Sequence, residues 1–424
     1  MFDKHLKRTI QFFHKIFKKI AILIINIIVL FISLLIKKDD NMYILGSSLG
    51  CRFADNSMYL YIYLNEFTDK RTIWITKDIK IKEHLTNKGL EVYSSREIRG
   101  IYYQLKAKYH VVDNGPTDIN PFLSIRALKV MLWHGIPIKK LPSFINGKNK
   151  ILDLIKNSKY YKLFLPGGWD PKNIFLLSTS QKITSQMLPL FPLNNENIII
   201  ANYPRNEMNI YYRAYVKPYL SNSIILLLKH VQVLKKEGYF IFGYFPTFRD
   251  WGEDIFFSND KETLKSFLEF LNDCKVVVVT KFHFGVKFRN NELNNLKNEI
   301  SHFENVILLE EVDDINAILP DLDLLISDYS GVIYDFLWYE KPIILYPYDQ
   351  KKYEENRGFS LDYDAFNPGK KVYNIFELKS EIEEFLNNPK YIDNYLKNIQ
   401  EIRKETFDTD ISCMQIVEFL EKIY

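Results

Sequence analysis

The sequence predicts an α/β protein of two doubly wound, Rossmann-like domains facing a central cleft, preceded by a membrane-associated helix. Three observations carry that expectation. After Asp40, short runs rich in Val, Ile, Phe and Tyr alternate with longer helical stretches, the pattern of a parallel sheet covered by helices. The alternation occurs twice, on either side of a helical segment near Tyr211–Gly238. At 424 residues the chain is also too long for one ordinary core. The expected division is residues 1–40 as a membrane-association segment, 41–225 as the first α/β domain and 226–424 as the second.

The opening segment has two parts. Lys4, Lys7, Arg8, Lys15, Lys18 and Lys19 interleave with Leu6, Ile10, Phe12, Phe13, Ile16 and Phe17, which at helical spacing gives a basic amphipathic surface suited to anionic lipid. An apolar run from Ile20 to Ile36 follows, interrupted by Asn26 and Ser33 and closed by Lys37 and Lys38. That run is near the short limit for crossing a bilayer. No small-x-small cleavage site follows it, which argues against a signal peptide. The competing reading is a buried helix of a soluble domain. Lysines flank both ends, so charge asymmetry assigns no orientation.

In the first domain the expected strands are Met42–Ser47, Thr72–Thr76, Leu90–Tyr93, His110–Asn114, Lys129–Trp133, Leu163–Pro166, Phe175–Ser178 and Asn197–Ala201. In the second they are Tyr239–Phe245, Lys275–Thr280, Val306–Leu309, Leu322–Ser327 and Pro342–Tyr346. Ligands of doubly wound sheets bind beyond the carboxyl ends of the strands, so the chemistry belongs to residues that follow strands.

Composition excludes little. A net charge of +4 and 15% aromatic residues give no reason to expect nucleic acid as a partner. Cys51, Cys274 and Cys413 lie far apart, form no zinc-type cluster and fit a reducing compartment.

Four constellations follow strands. Trp133-His134-Gly135-Ile136-Pro137 places an imidazole at a strand end, where it can act as a general base near neutral pH; the alternative is a structural His-Gly turn. Phe245-Pro246-Thr247-Phe248-Arg249-Asp250 offers a guanidinium fork for a phosphate, or an exposed arginine paired with Asp250. Lys281 and His283, two apart on an extended strand end, point to one face and can converge on one anion, although such pairs also arise by chance. In Ile326-Ser327-Asp328-Tyr329-Ser330-Gly331 a buried strand runs into a helix expected to start near Ser330, an arrangement that suits a pyrophosphate; the alternative is a helix that Ser330 merely caps. Asp335 lies about one turn into that helix, as a donor contact or a solvated carboxylate.

Taken together and in this order, these elements resemble the CDP-glycerol glycerophosphotransferase family of teichoic acid primases and polymerases. The resemblance also runs through Gly46-Ser47-Ser48-Leu49-Gly50, Ala54-Asp55-Asn56-Ser57, Tyr203-Pro204-Arg205-Asn206 and Arg357-Gly358-Phe359-Ser360-Leu361-Asp362-Tyr363. It implies a GT-B-like fold, with an acceptor domain followed by a CDP-donor domain. It implies His134 as base on the acceptor hydroxyl and His283 as a donor-phosphate contact. Arg249, Lys281, Asp328, Ser330, Gly331 and Asp335 fall on the donor side, and Gly50, Asp55, Asn56 and Arg205 on the acceptor side. The expected partners are CDP-glycerol or another CDP-alditol, a lipid-linked acceptor and an anionic membrane surface, at the cytoplasmic face of a bacterial membrane through peripheral or single-pass attachment.

Two departures stand out: Gly331 occupies the position of the family's second serine, and Phe284 follows His283 where the family has proline. No cofactor or metal is expected. Asp321 and Asp323 precede their strand instead of following it, and Asp362 and Asp364 belong to a loop. The rival readings are a sugar-transferring GT-B enzyme of capsule or lipopolysaccharide synthesis and a catalytically inactive membrane scaffold. The second predicts a loss of polar residues at the strand ends, and these are present.

Overall fold

The computed structural model describes residues 2–140, 161–170, 174–188, 191, 193, 195–247, 249, 251, 256–258, 260–281, 300, 302–310 and 313–423. The chain groups into two compact units. Unit 1 comprises residues 1–134, 142–207 and 409–424, and unit 2 comprises 135–141 and 208–408.

Unit 1 is built on a seven-stranded, wholly parallel sheet: β1 (Asp39–Gly46), β2 (Arg71–Thr76), β3 (Val92–Ser94), β4 (Ala107–Val112), β5 (Leu128–Met131), β6 (Phe175–Ser178) and β7 (Ile198–Ile200). The order β3-β2-β1-β4-β5-β6-β7 reverses direction between β1 and β4. Strands buried on both faces read as continuous apolar runs, and Met42, Tyr43, Ile44 and Leu45 of β1 are all fully buried. Aromatic packing fills the layers. Tyr43 stacks on Tyr109 at 4.4 Å, and Phe53 meets Trp74 edge-on at 4.7 Å.

Unit 2 carries β8 (Phe240–Phe245), β9 (Val276–Thr280), β10 (Val306–Leu308), β11 (Leu324–Ser327), β12 (Ile343–Leu345) and β13 (Lys370–Lys371). The order β10-β9-β8-β11-β12-β13 is again parallel, and it switches between β8 and β11. Phe242, Leu264, Leu268, Val276, Leu324 and Leu378 belong to one apolar core between sheet and helices.

Two local expectations change. Leu163–Pro166 forms 3-10 turns instead of a strand, and the two-residue edge strand β13 was not anticipated. The reason for the first is α1 (Phe2–Leu34), a single continuous helix that unites the amphipathic and apolar parts. Asn26, fully buried, donates to Leu163 O at 2.8 Å and Leu165 O at 2.7 Å and accepts from Gly167 N at 3.0 Å. A strand would direct carbonyls 163 and 165 into a ladder; here one amide takes both. Arg126 Nη1 donates to Ser33 O, and Lys19 to Phe164 O at 3.2 Å, so α1 is fastened between Lys19 and Ser33 to the body of unit 1.

Candidate active site

In unit 1, the strand ends beside the switch between β1 and β4 hold one connected polar network. Asp118 accepts from the main-chain N–H of Leu49, Asp113 and Asn114 at 2.7, 3.0 and 2.8 Å, closing the loop after β4 and pinning the loop after β1. Gly50 sits in that loop at φ +81°, and a Cβ there would lie 3.0 Å from Asp118 O. Its carbonyl accepts from Lys77 N and Thr76 Oγ1. Ser48, Leu49, Asp55 and Trp133 also adopt positive φ without being glycine. Such conformations cost about 1–3 kcal/mol each and persist where the surroundings over-determine them, characteristically at functional sites.

His134 follows β5 and is exposed, with its ring against Trp133 at 4.3 Å. Its main chain is fixed from behind. The buried Asn56, at the start of α2 (Asp55–Phe67), donates to Trp133 O at 2.9 Å. Arg205, on the helix Pro204–Tyr211, donates to His134 O at 3.1 Å, pairs with Asp55 at 2.5 Å and gives its N–H to Asn56 Oδ1 at 3.3 Å. Asp55, Asn56 and Arg205 therefore converge on His134, while Gly50 shapes the adjoining loop. The main chain of the turn is thus fixed, and the imidazole stands exposed beside the Trp133 ring.

Asp113 joins this network unannounced. It is fully buried, its Oδ1 accepts from Ser57 N at 2.9 Å, and burial, then the charges of Asp55 and Asp118, push its carboxyl well above the usual carboxylate range. A native state that binds this proton more tightly than the unfolded chain loses stability as pH rises from about 4 through the folded value, and is level above it. The variant Asp113→Asn should abolish that decline and melt higher than wild type at neutral pH in thermal scans across pH. An unchanged pH slope would show that Asp113 is ionised.

In unit 2, the ends of β8 and β11 are also tied together. Asp328 Oδ1 accepts from Thr247 N at 2.8 Å and Tyr329 N at 2.6 Å, and Tyr363 donates to Asp328 O at 2.9 Å. Arg249 does not project from its loop. It is fully buried, forks onto Asp349 through Nε and Nη2 at 2.8 Å each, and pairs with Asp328 at 2.8 Å. The rings of Tyr329, Tyr348 and Tyr353 lie 4.9 to 5.2 Å from its guanidinium carbon. Burial works against the charge, but Asp328 and Asp349 outweigh it and hold the guanidinium above its ordinary value. Its fork is occupied by carboxylates, which ties its loop to Asp328 and Asp349. Asp250, its sequence-expected partner, lies outside the described residues, as does His283.

Lys281 donates to Asp313 O and is half-buried. The helix after Ser330 is short, Val332–Phe336, and Ser330 Oγ accepts from Val332 N at 3.4 Å. Asp335 is buried within it. Gly331 has a steric reason: a Cβ would lie 3.0 Å from Ile136 O, in the segment 135–140 that unit 2 incorporates. That segment is sewn to the Arg-Gly-Phe-Ser motif by Lys140 N to Gly358 O at 2.9 Å, Ser360 N to Ile138 O at 2.8 Å and Ser360 Oγ to Lys139 O at 2.8 Å. The carboxylates outside the strand ends serve structure: Asp321 pairs with Arg213, Asp323 with Lys235 at 2.6 Å, and Asp362 caps Asp364 N at 3.1 Å.

Asp113 and Asp349 are not among the sequence-expected site residues: Asp113 falls inside the expected strand His110–Asn114 and follows β4 only because that strand ends at Val112, and Asp349 lies four residues beyond the end of β12.

A model of the family described as CDP-Glycerol:Poly(glycerophosphate) glycerophosphotransferase matches residues 28–412. The chain belongs to that family. Among its relatives, a teichoic acid glycerol-phosphate transferase of Staphylococcus aureus is 27% identical over 363 residues, covering 82% of this chain and 86% of the relative. A teichoic acid poly(glycerol phosphate) polymerase of Bacillus spizizenii is 26% identical, covering 79% and 81%. The fold is similar to that of the wall teichoic acid polymerase TagF, with a TM-score of 0.67 at 18% identity over 98% of both chains. Every motif quoted for the resemblance lies inside the matched span of the glycerophosphotransferase family.

Proposed function

We propose that this chain transfers glycerol phosphate from CDP-glycerol to a hydroxyl of a lipid-linked, teichoic-acid-type polymer and releases CMP. The family match across residues 28–412 carries this reading, because it decides between an alditol-phosphate donor and a nucleotide sugar. A structure of a histidine-to-asparagine variant of TagF soaked with CDPG, similar in fold at a TM-score of 0.63, supports the choice of donor.

His134 takes the proton of the acceptor hydroxyl. The hydroxyl oxygen attacks the glycerol-bearing phosphorus in line, the bond from that phosphorus to the bridging oxygen breaks, and CMP leaves with the electron pair. Asp55, Asn56 and Arg205 hold the His134 turn. On the donor side Lys281, His283 and the Ser330–Gly331 turn, with Asp335 behind it, meet the charge that builds on the phosphates. Arg249 acts through Asp328 by keeping that turn in place.

The exposed apolar face of α1 supports attachment at the cytoplasmic membrane surface, where CDP-activated donors are made. The purified protein, given a lipid-linked acceptor, should release CMP from CDP-glycerol and no UDP from UDP-sugars. Turnover of a UDP-sugar in place of CDP-glycerol would defeat the proposal, and preference for CDP-ribitol would change the alditol.

A further inference from the structure

At β3, the edge strand of the unit 1 sheet, the surface opens into a groove of about 900 Å³ that no catalytic step uses. Lys82, Glu91, Tyr93, Arg96, Glu97 and Arg99 are among the residues that line it. Both carboxylates are already claimed. Glu91 takes the fork of Arg71 at 2.9 and 2.6 Å and the hydroxyl of Tyr93 at 3.1 Å, and Glu97 pairs with Lys82. Arg96 and Arg99 are exposed, and among the described residues neither guanidinium has a hydrogen bond or an ion pair. Each planar fork suits one phosphate, so two unclaimed forks on one groove suit an anion that carries several.

The groove adjoins the same edge of the sheet as His134. Thr76 pairs with Ser94 at the carboxyl ends of β2 and β3, and Ser95 N donates to Thr76 O at 2.9 Å, so the backbone of Arg96 lies beside the end of β2. Lys77, the next residue after β2, is exposed and donates from Nζ to Leu49 O at 2.8 Å and to Thr117 O, reaching the loops after β1 and β4. In the order β3-β2-β1-β4-β5, His134 follows the last of these strands. Cations therefore mark the near part of a row of strand ends whose far part holds the base. From β3 to β5 the row measures about 19 Å, at roughly 4.8 Å from strand to strand. A glycerol phosphate repeat has as many backbone bonds as two amino-acid residues and reaches roughly 7 Å when extended, so about three repeats span the row.

We propose that Arg96 and Arg99 bind phosphodiesters of the growing acceptor chain, about three repeats behind the hydroxyl that His134 deprotonates. The inference rests on the acceptor proposed above, a polymer with one negative charge per repeat, and adds a length requirement to it. An acceptor with one repeat reaches His134 and not the groove. A longer one is held at both, so an elongated chain binds more tightly than its own primer.

The test uses the full chain, CDP-glycerol and lipid-linked acceptors that carry one or six glycerol phosphates. Wild type should show a KM for the longer acceptor about tenfold below that for the shorter, at equal kcat, since two exposed charge contacts contribute roughly threefold each. Arg96→Gln with Arg99→Gln should raise the KM of the longer acceptor to that of the shorter and leave the shorter unchanged. The thermal midpoint should not move, because neither guanidinium is bonded to the rest of the fold. Equal KM values for the two acceptors in wild type, or an unaltered difference in the double variant, overturns the groove as a polymer site. An equal rise for both acceptors also overturns it and assigns the arginines to membrane headgroups. Titration with a membrane-free hexamer of glycerol phosphate separates the groove from the chemistry. Binding that the double variant loses, with no CMP released by wild type, defeats the transferase reading and keeps the groove; CMP release without that binding keeps the transferase and removes the groove.

Discussion

His134→Ala should lower glycerophosphate transfer by about 10²- to 10⁴-fold, the range expected for loss of a positioned general base, with CDP-glycerol binding unchanged. The substitution is unusually clean because the main chain at this turn is held by other residues: Asn56 bonds Trp133 O and Arg205 bonds His134 O. Removing an exposed imidazole leaves those bonds in place. The thermal midpoint should therefore stay within a degree or so of wild type, and CMP release is the quantity that falls. Wild-type turnover in this variant would remove His134 from the chemistry.

Arg249→Met should be the most destabilising single change in unit 2, by about 3–5 kcal/mol in denaturant titration, because it strands Asp328 and Asp349 in the interior. A phosphate-binding arginine in the same loop would give the opposite pattern, a stable protein with weakened donor binding. The pH dependence separates the two further. In the variant the stranded carboxylates bind protons more tightly when folded than unfolded, so stability should recover as pH falls towards 4. Adding Asp349→Asn should restore part of the loss at neutral pH. A variant that melts like wild type and only loses affinity for CDP-glycerol would return Arg249 to the phosphate.

Much of this protein is legible in its sequence because parallel strands buried on both faces leave a strong local signature, as in Val276–Thr280. Such runs also locate the strand ends, hence His134 and Asp328. What escapes is whatever depends on a distant partner. Leu163–Pro166 looks like a strand until Asn26, more than 130 residues earlier, claims two of its carbonyls. Lys370–Lys371 has no apolar pattern and pairs with β12 through its backbone alone. Arg249 reads as an exposed loop residue because Asp349, which buries it, lies 100 positions away. Gly331 departs from the family's serine, and only the packed segment at Ile136 gives the reason.

Glu207 accepts from the main-chain N–H of both Ser412 and Cys413 at 2.7 Å, and Asn202 N donates to Ile411 O at 3.0 Å, so the helix Cys413–Lys422 packs with unit 1 and not with the unit that precedes it in sequence. During synthesis, therefore, the first half emerges from the ribosome lacking its last piece. Glu207 has to wait for its two donors until some two hundred intervening residues have emerged.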